Sequence, residues 1–116
     1  MALQIAYDDP MNGPLATAYA RVVEIHLTDR PAYQSVAVQV EVFKSKAAAN
    51  AGRKVIGAMG FTFRDTAAVV VDGVETVPAA NPYSRYMALL NTKNPKAAAY
   101  DLLKSDRVEF AAATDV

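Results

Sequence analysis

Between residues 35 and 43 the chain reads Ser-Val-Ala-Val-Gln-Val-Glu-Val-Phe. Val36, Val38, Val40 and Val42 fall on one side, and Ala37, Gln39, Glu41 and Phe43 on the other. Alternation with a period of two over β-branched residues predicts a strand with its valine face on a core and its Gln/Glu face toward solvent or a partner. A second period-two run covers residues 18–28. It sets Tyr19, Arg21, Val23, Ile25 and Leu27 against Ala20, Val22, Glu24, His26 and Thr28. Asp29-Arg30-Pro31-Ala32-Tyr33 between the two runs reads as a turn, because Pro31 has no amide to give to a ladder.

Residues 3–7 predict a short opening strand, closed by Asp-Asp-Pro-Met-Asn-Gly-Pro, a dense turn signal. After the valine strand, Lys-Ser-Lys-Ala-Ala-Ala-Asn-Ala-Gly breaks the alternation. Three consecutive alanines predict one helical turn, with Gly52 as its C-terminal stop. Alternation resumes at residues 55–64, with Val55, Gly57, Met59, Phe61 and Phe63 opposite Ile56, Ala58, Gly60, Thr62 and Arg64. Gly57 and Gly60 mark a bulge, sharp curvature or a close approach. Residues 68–77 read as a hairpin around Asp72-Gly73, the pair that suits a tight primed turn.

Two Asn-Pro pairs follow. Asn81-Pro82 is a helix-start signal, and Tyr83, Tyr86, Met87 and Leu90 have helical spacing, yet residues 86–90 also suit a last strand; both readings stand. Asn94-Pro95 is the clearer start, with Asn as cap and Pro at the first helical position. Ala98, Ala99, Leu102 and Leu103 then form one apolar stripe, with Lys96, Tyr100 and Lys104 opposite it, and Ser105-Asp106 ends the helix. The expected fold is α+β: a small antiparallel sheet of four to six strands with a C-terminal helix packed on one face, in a single domain spanning 1–116.

Composition narrows the function classes. In 116 residues, 53% are hydrophobic and 21% charged, enough for one real core. Lys+Arg and Asp+Glu both number 12. That balance speaks against nucleic acid or an anionic membrane as partner, and a neutral surface suits assembly with other protein copies. Cysteine is absent, so there is no disulfide and no thiolate metal site. No apolar run approaches the roughly 20 residues of a membrane helix, and the first residues lack the pattern of a secretory signal. Synthesis in a cytoplasm is the expectation.

Candidate chemistry is thin. His26 is the only histidine, with Glu24 beside it on the same strand face, but a lone His without a second ligand or nucleophile reads as an ordinary strand residue. Asp8-Asp9 with Asn12 lacks the alternating spacing of a calcium loop and reads as an Asx-type turn. Gly52-Arg53-Lys54 lacks the glycine spacing of a phosphate cradle. The six tyrosines do not gather in one basic run, which removes the stacking platform of a single-strand binder. No catalytic constellation, cofactor site or metal site is expected. Tyrosine does suit protein interfaces, and Tyr83, Tyr86 and Phe110 are the candidate interaction residues.

Three stretches carry a family resemblance: the strand Tyr19-Ala-Arg21-Val22-Val23; the strand running through Val-Phe-Lys-Ser-Lys-Ala-Ala-Ala-Asn-Ala-Gly into a second one ending in Phe61 and Phe63; and a closing pattern of Asn94-Pro95, Ala99-Tyr100, Leu103-Lys104, Glu109-Phe110-Ala111 and Asp115. In these the chain resembles short structural proteins from the tail and tail-tip modules of tailed bacteriophages. Ser-Asp-Arg-Val at 105–108 stands where similar chains have a brief Thr/Leu/Pro turn. Residues 66–93 are longer than in many of them, and that is where a specialised contact is expected. The resemblance implies a virion component that binds other tail proteins and copies of itself, with no catalytic residues. The rivals are a small enzyme or ligand-binding domain, with His26, Glu24 and a tyrosine around a pocket, and an assembly chaperone that leaves the finished particle. The apolar ending, residues 109–116, has Phe110 as its one large anchor. Its two candidate seats are a groove on its own sheet or one on a neighbouring chain, with Asp115 exposed in either case.

Overall fold

The computed structural model describes residues 2–11 and 13–115. The valine stripe lies in β3 (Tyr33–Phe43), the third strand of a five-stranded antiparallel sheet. β1 (Leu3–Asp9) and β2 (Gly13–Arg30) precede it, β4 (Gly57–Phe63) follows, and a two-residue β7 (Thr114–Asp115) comes last, in the order β4-β3-β2-β1-β7. The turns are shorter than the sequence predicts: β1 continues to Asp9, paired with Gly13, and β2 meets β3 at Arg30–Tyr33 across Pro31 and Ala32. β5 (Val69–Val71) and β6 (Val74–Val77) do not join this sheet; they form a separate two-stranded one.

Register explains which face is buried. Val22, Ile25 and Leu27 stand opposite Val40, Val38 and Val36, and Met59, Phe61 and Phe63 in turn flank the same three valines from β4. Directly opposed residues share a face, so these side chains line the core side. The alternation read for residues 18–28 is therefore half right. Ala20 and Val22 face the core, but the pairing slips between Val22 and Glu24. Val23 is the extra residue of a bulge. Beyond it Ile25 and Leu27 turn to the core side, and Glu24 and His26 to the open face.

Two helices cover the core face. α3 (Pro95–Asp106) packs chiefly over β2, and α2 (Pro82–Leu89) over β3. Asn94 caps α3 as expected, its side chain accepting from the Ala97 amide at 2.8 Å. The Asn81-Pro82 ambiguity resolves as helix, with a cap from elsewhere in the chain: Asp65 accepts from the Ser84 amide at 3.2 Å and also bonds the Ser84 hydroxyl. On the other face, α1 (Lys46–Asn50) is the predicted single turn. Ser45 caps it at 3.1 Å, Gly52 takes φ 70°, and the Arg53 amide closes on the Ala48 carbonyl at 2.9 Å, the glycine-ended stop. Ala2, Tyr19 and Phe43 make a small second core with Ala49 and Val55 on this side. Gly57 is a close-approach glycine: a Cβ there would run into the Tyr7 hydroxyl reaching over from β1.

Tyr100 corrects the helix reading. It was expected on the polar side of α3, yet it is buried, and its hydroxyl accepts from the Val22 amide at 2.8 Å. β1 begins opposite Ala20, so its ladder does not extend to this amide, and the phenol serves it instead. Burial raises the hydroxyl's pKa, partly offset by the Val22 bond, which keeps it protonated at neutral pH. Tyr100→Phe should leave the buried amide without this acceptor and cost about 1–3 kcal/mol, read as a lower denaturant midpoint with unchanged slope. An unchanged midpoint would show that the bond contributes nothing net.

Candidate protein interface

Residues 64–81 all lie exposed, a long unbroken run in the chain's middle. The run starts where β4 ends and returns at α2. Its base is pinned by reciprocal backbone bonds between Thr66 and Ala80, at 2.8 and 3.0 Å, and by the Asp65–Ser84 cap. Burial works against the Asp65 charge, but the Ser84 and Tyr83 hydrogen bonds hold its pKa below the usual carboxylate range, so the clamp is anionic at neutral pH. Arg64 stacks on the Tyr33 ring, 4.5 Å from its centroid. Beyond this base the β5–β6 hairpin stands as an arm.

The arm's local structure follows from its sequence. Asp72 and Gly73 both have positive φ, 53° and 77°, which a two-residue primed turn requires and which this pair tolerates. Val71 pairs with Val74, Val70 with Glu75, and Val69 with Val77, with a slip between Val69 and Val70 that leaves Thr76 extra. Successive pairs alternate faces. One face of the arm is therefore Val69, Val71, Val74 and Val77; the other holds Val70 and Glu75. The four valines of the first face are 47–64% exposed. A lone two-stranded hairpin is marginal in water, and a contiguous apolar face left open is the usual mark of a binding surface. Covering that face would withdraw apolar area worth about 25 cal/mol per Å².

The residues singled out from sequence lie elsewhere. Tyr83, Tyr86 and Phe110 are 6%, 0% and 0% exposed. They belong to the main core with Leu102, Leu103 and the β3 valines, so their rings hold the fold instead of offering surface to a partner. The reason is that α2 and the C-terminal turn lie flat on the sheet. What the sequence reading missed is the arm's apolar face. The available signal was Val69-Val70-Val71, three valines in a row, which places valine on both faces of a short strand.

His26 and Glu24 stand exposed on the open face of the sheet, away from the clefts around α2 and α3, so they do not converge with a tyrosine around a pocket. His26→Gln is expected to change the free energy of unfolding by no more than about 0.5 kcal/mol, as for other exposed positions; a loss of folding would assign His26 a structural partner. Asp9 is buried, and its Oδ1 accepts from the Met11 amide at 3.0 Å, an Asx turn; Asn12 lies outside the described residues. Among the described residues no three of His, Cys, Asp or Glu gather as a metal site, and no helix is long and apolar enough to cross a membrane. A cleft of about 410 Å³ between α2 and α3 includes Arg85, Leu89 and Leu102. Arg85 is already held by both oxygens of Asp106, at 2.8 and 2.6 Å. That pairing lowers the Asp106 pKa despite partial burial.

The chain is thus an α+β domain that displays an apolar two-stranded arm. No protein-family model matches it, and neither the curated proteins nor the solved structures contain a match.

Proposed function

We propose that this chain is a bacteriophage virion structural protein of the tail, baseplate or fibre-attachment region, acting by protein–protein binding. The observation that supports this reading is the displayed valine face of the β5–β6 arm, Val69, Val71, Val74 and Val77, on a base clamped by Thr66–Ala80 and Asp65–Ser84. The arm lies within residues 66–93, the stretch that is long relative to the phage tail proteins the chain resembles. A rigid base with a short apolar strand pair suits recognition by strand addition or by insertion into a groove. The partners are other virion tail proteins and copies of this chain. No step of bond-making chemistry is part of the reading.

The test is mass spectrometry of purified particles from a phage carrying the gene, with the wild-type chain and with Val71→Ser/Val74→Ser. The wild-type chain should be found in the particle. The double variant should keep its melting temperature as an isolated protein and be lost from particles. A chain needed for assembly but absent from finished particles would instead be a chaperone. A chain neither present nor needed would overturn the proposal.

A further inference from the structure

The chain's zero net charge conceals two poles. Residues 44–54 carry Lys44, Lys46, Arg53 and Lys54 and no carboxylate, whereas residues 66–80 carry Asp72 and Glu75 and no cation. All six of these charged residues are exposed, and none of them forms an ion pair with another described residue. The basic segment leads into the start of β4, and the arm leaves from its end. Seven residues of strand separate them, roughly 20 Å at 3.3 Å per residue.

Beside the basic pole lies a cleft of about 490 Å³ lined by Asp9, Met11, Lys54, Val55 and Ile56. Met11 is 90% exposed at its rim, and Val55 and Ile56 are half-buried. Asp9, the one carboxylate in the lining, is buried against the Met11 amide, so the cleft presents apolar walls and a lysine. The arm's tip is the complement: Val71 and Val74 on one face flank Asp72-Gly73 at the turn, with Glu75 on the other face. The arm does not occupy the cleft of its own chain, and β4 holds the two apart.

Resting on the reading of the arm as a protein-binding element, we infer that its occupant is a second copy of this chain: the β5–β6 tip of one copy seats in the Met11–Lys54–Val55–Ile56 cleft of the next, with Asp72 and Glu75 facing Lys54 and Arg53. Such a contact is heterologous. Each copy gives a tip and receives one, so copies add head to tail and close into a ring or continue as a filament, depending on the rotation per step. Opposite charges at the two poles select this pairing over tip against tip or cleft against cleft.

Because the chain has no cysteine, single cysteines report the contact directly. Val74→Cys and Met11→Cys, mixed in equal amounts under mild oxidation, should give a mixed disulfide dimer well above the homodimers of either variant alone. Charge variants give the second arm of the test. Asp72→Asn/Glu75→Lys keeps a residue at Asp72 that tolerates positive φ, and Arg53→Glu/Lys54→Glu reverses the cleft rim. In sedimentation velocity each should associate at least about tenfold more weakly than the wild type, and a mixture of the two should recover association. Circular dichroism confirms that both fold. No mixed disulfide, or no recovery on mixing, would overturn the head-to-tail contact. A wild-type chain that stays monomeric at its solubility limit would also overturn it, while leaving a protein-binding arm to be judged by its presence in particles.

Discussion

Val40→Asp is expected to destabilise the protein by several kcal/mol. Val40 is 1% exposed and lies in the middle of β3, between Val22 of β2 and Met59 of β4. It belongs to the same core cluster as Tyr86 and Leu103. A carboxylate there loses its hydration and meets no cation. Leaving a buried charge uncompensated costs about 3–5 kcal/mol, and the native state of a domain this size is stable by about 5–15 kcal/mol. The substitution consumes a large part of that margin, so circular dichroism should show a melting temperature lower by on the order of ten degrees or more. Glu41→Gln, one residue along on the open face, should leave the melting curve where it is. If Val40→Asp melted like the original, the register of β3 against β2 and β4 would be wrong.

That contrast between residues 40 and 41 was readable from the sequence, because one face of β3 is buried along its length and the valines obey a strict period of two. The same rule misled on β2. A bulge adds one residue and exchanges the faces beyond it, and Val23 carries no glycine or other mark of a bulge, so Ile25 and Leu27 looked like partners of Tyr19 and Arg21. α3 was legible from its Asn-Pro start, but Tyr100 was counted as polar when its ring packs in the core and only its hydroxyl needs a partner. α2 was ambiguous because its cap, Asp65, is contributed from the end of β4 and is not adjacent in sequence.

The arm divides in the same way. Asp72-Gly73 announced the turn through local backbone chemistry. Val69-Val70-Val71 signals only that both faces of the strand carry valine; which of these valines stay uncovered depends on what the rest of the fold brings to each face. An apolar strand pair reads as core until the three-dimensional arrangement places it outside, and this is why the candidate interface had to come from the structure while the hairpin itself did not.

Truncation after Arg107 should lower the melting temperature of the isolated protein, with Phe110→Ala as the milder form. After α3, a single turn of 3-10 helix, η1 (Val108–Phe110), swings Phe110 under the sheet. The ring is fully buried and meets Phe61 edge-on at 5.7 Å between centroids; Arg107 lies over the far ring, 4.7 Å from the Phe61 centroid. The chain then pairs Thr114 with Gln4 and Asp115 with Leu3. The Lys104 ammonium reaches the exposed Asp115 carboxylate at 3.2 Å, a contact of small worth at the surface. Of the two seats open to this tail, its own sheet is the one occupied. Phe110→Ala opens a cavity and should cost about 3–5 kcal/mol, a fall on the order of ten degrees for a chain of this length. Truncation removes the same ring and also strips the outer edge of β1, leaving its backbone groups at Leu3 and Gln4 without β7. Its fall should therefore be at least as large, and the exposed edge should raise the tendency to aggregate. An isolated protein whose melting temperature ignores both changes would mean that the tail is passive, and that the packing of Phe110 against Phe61 contributes nothing to the fold.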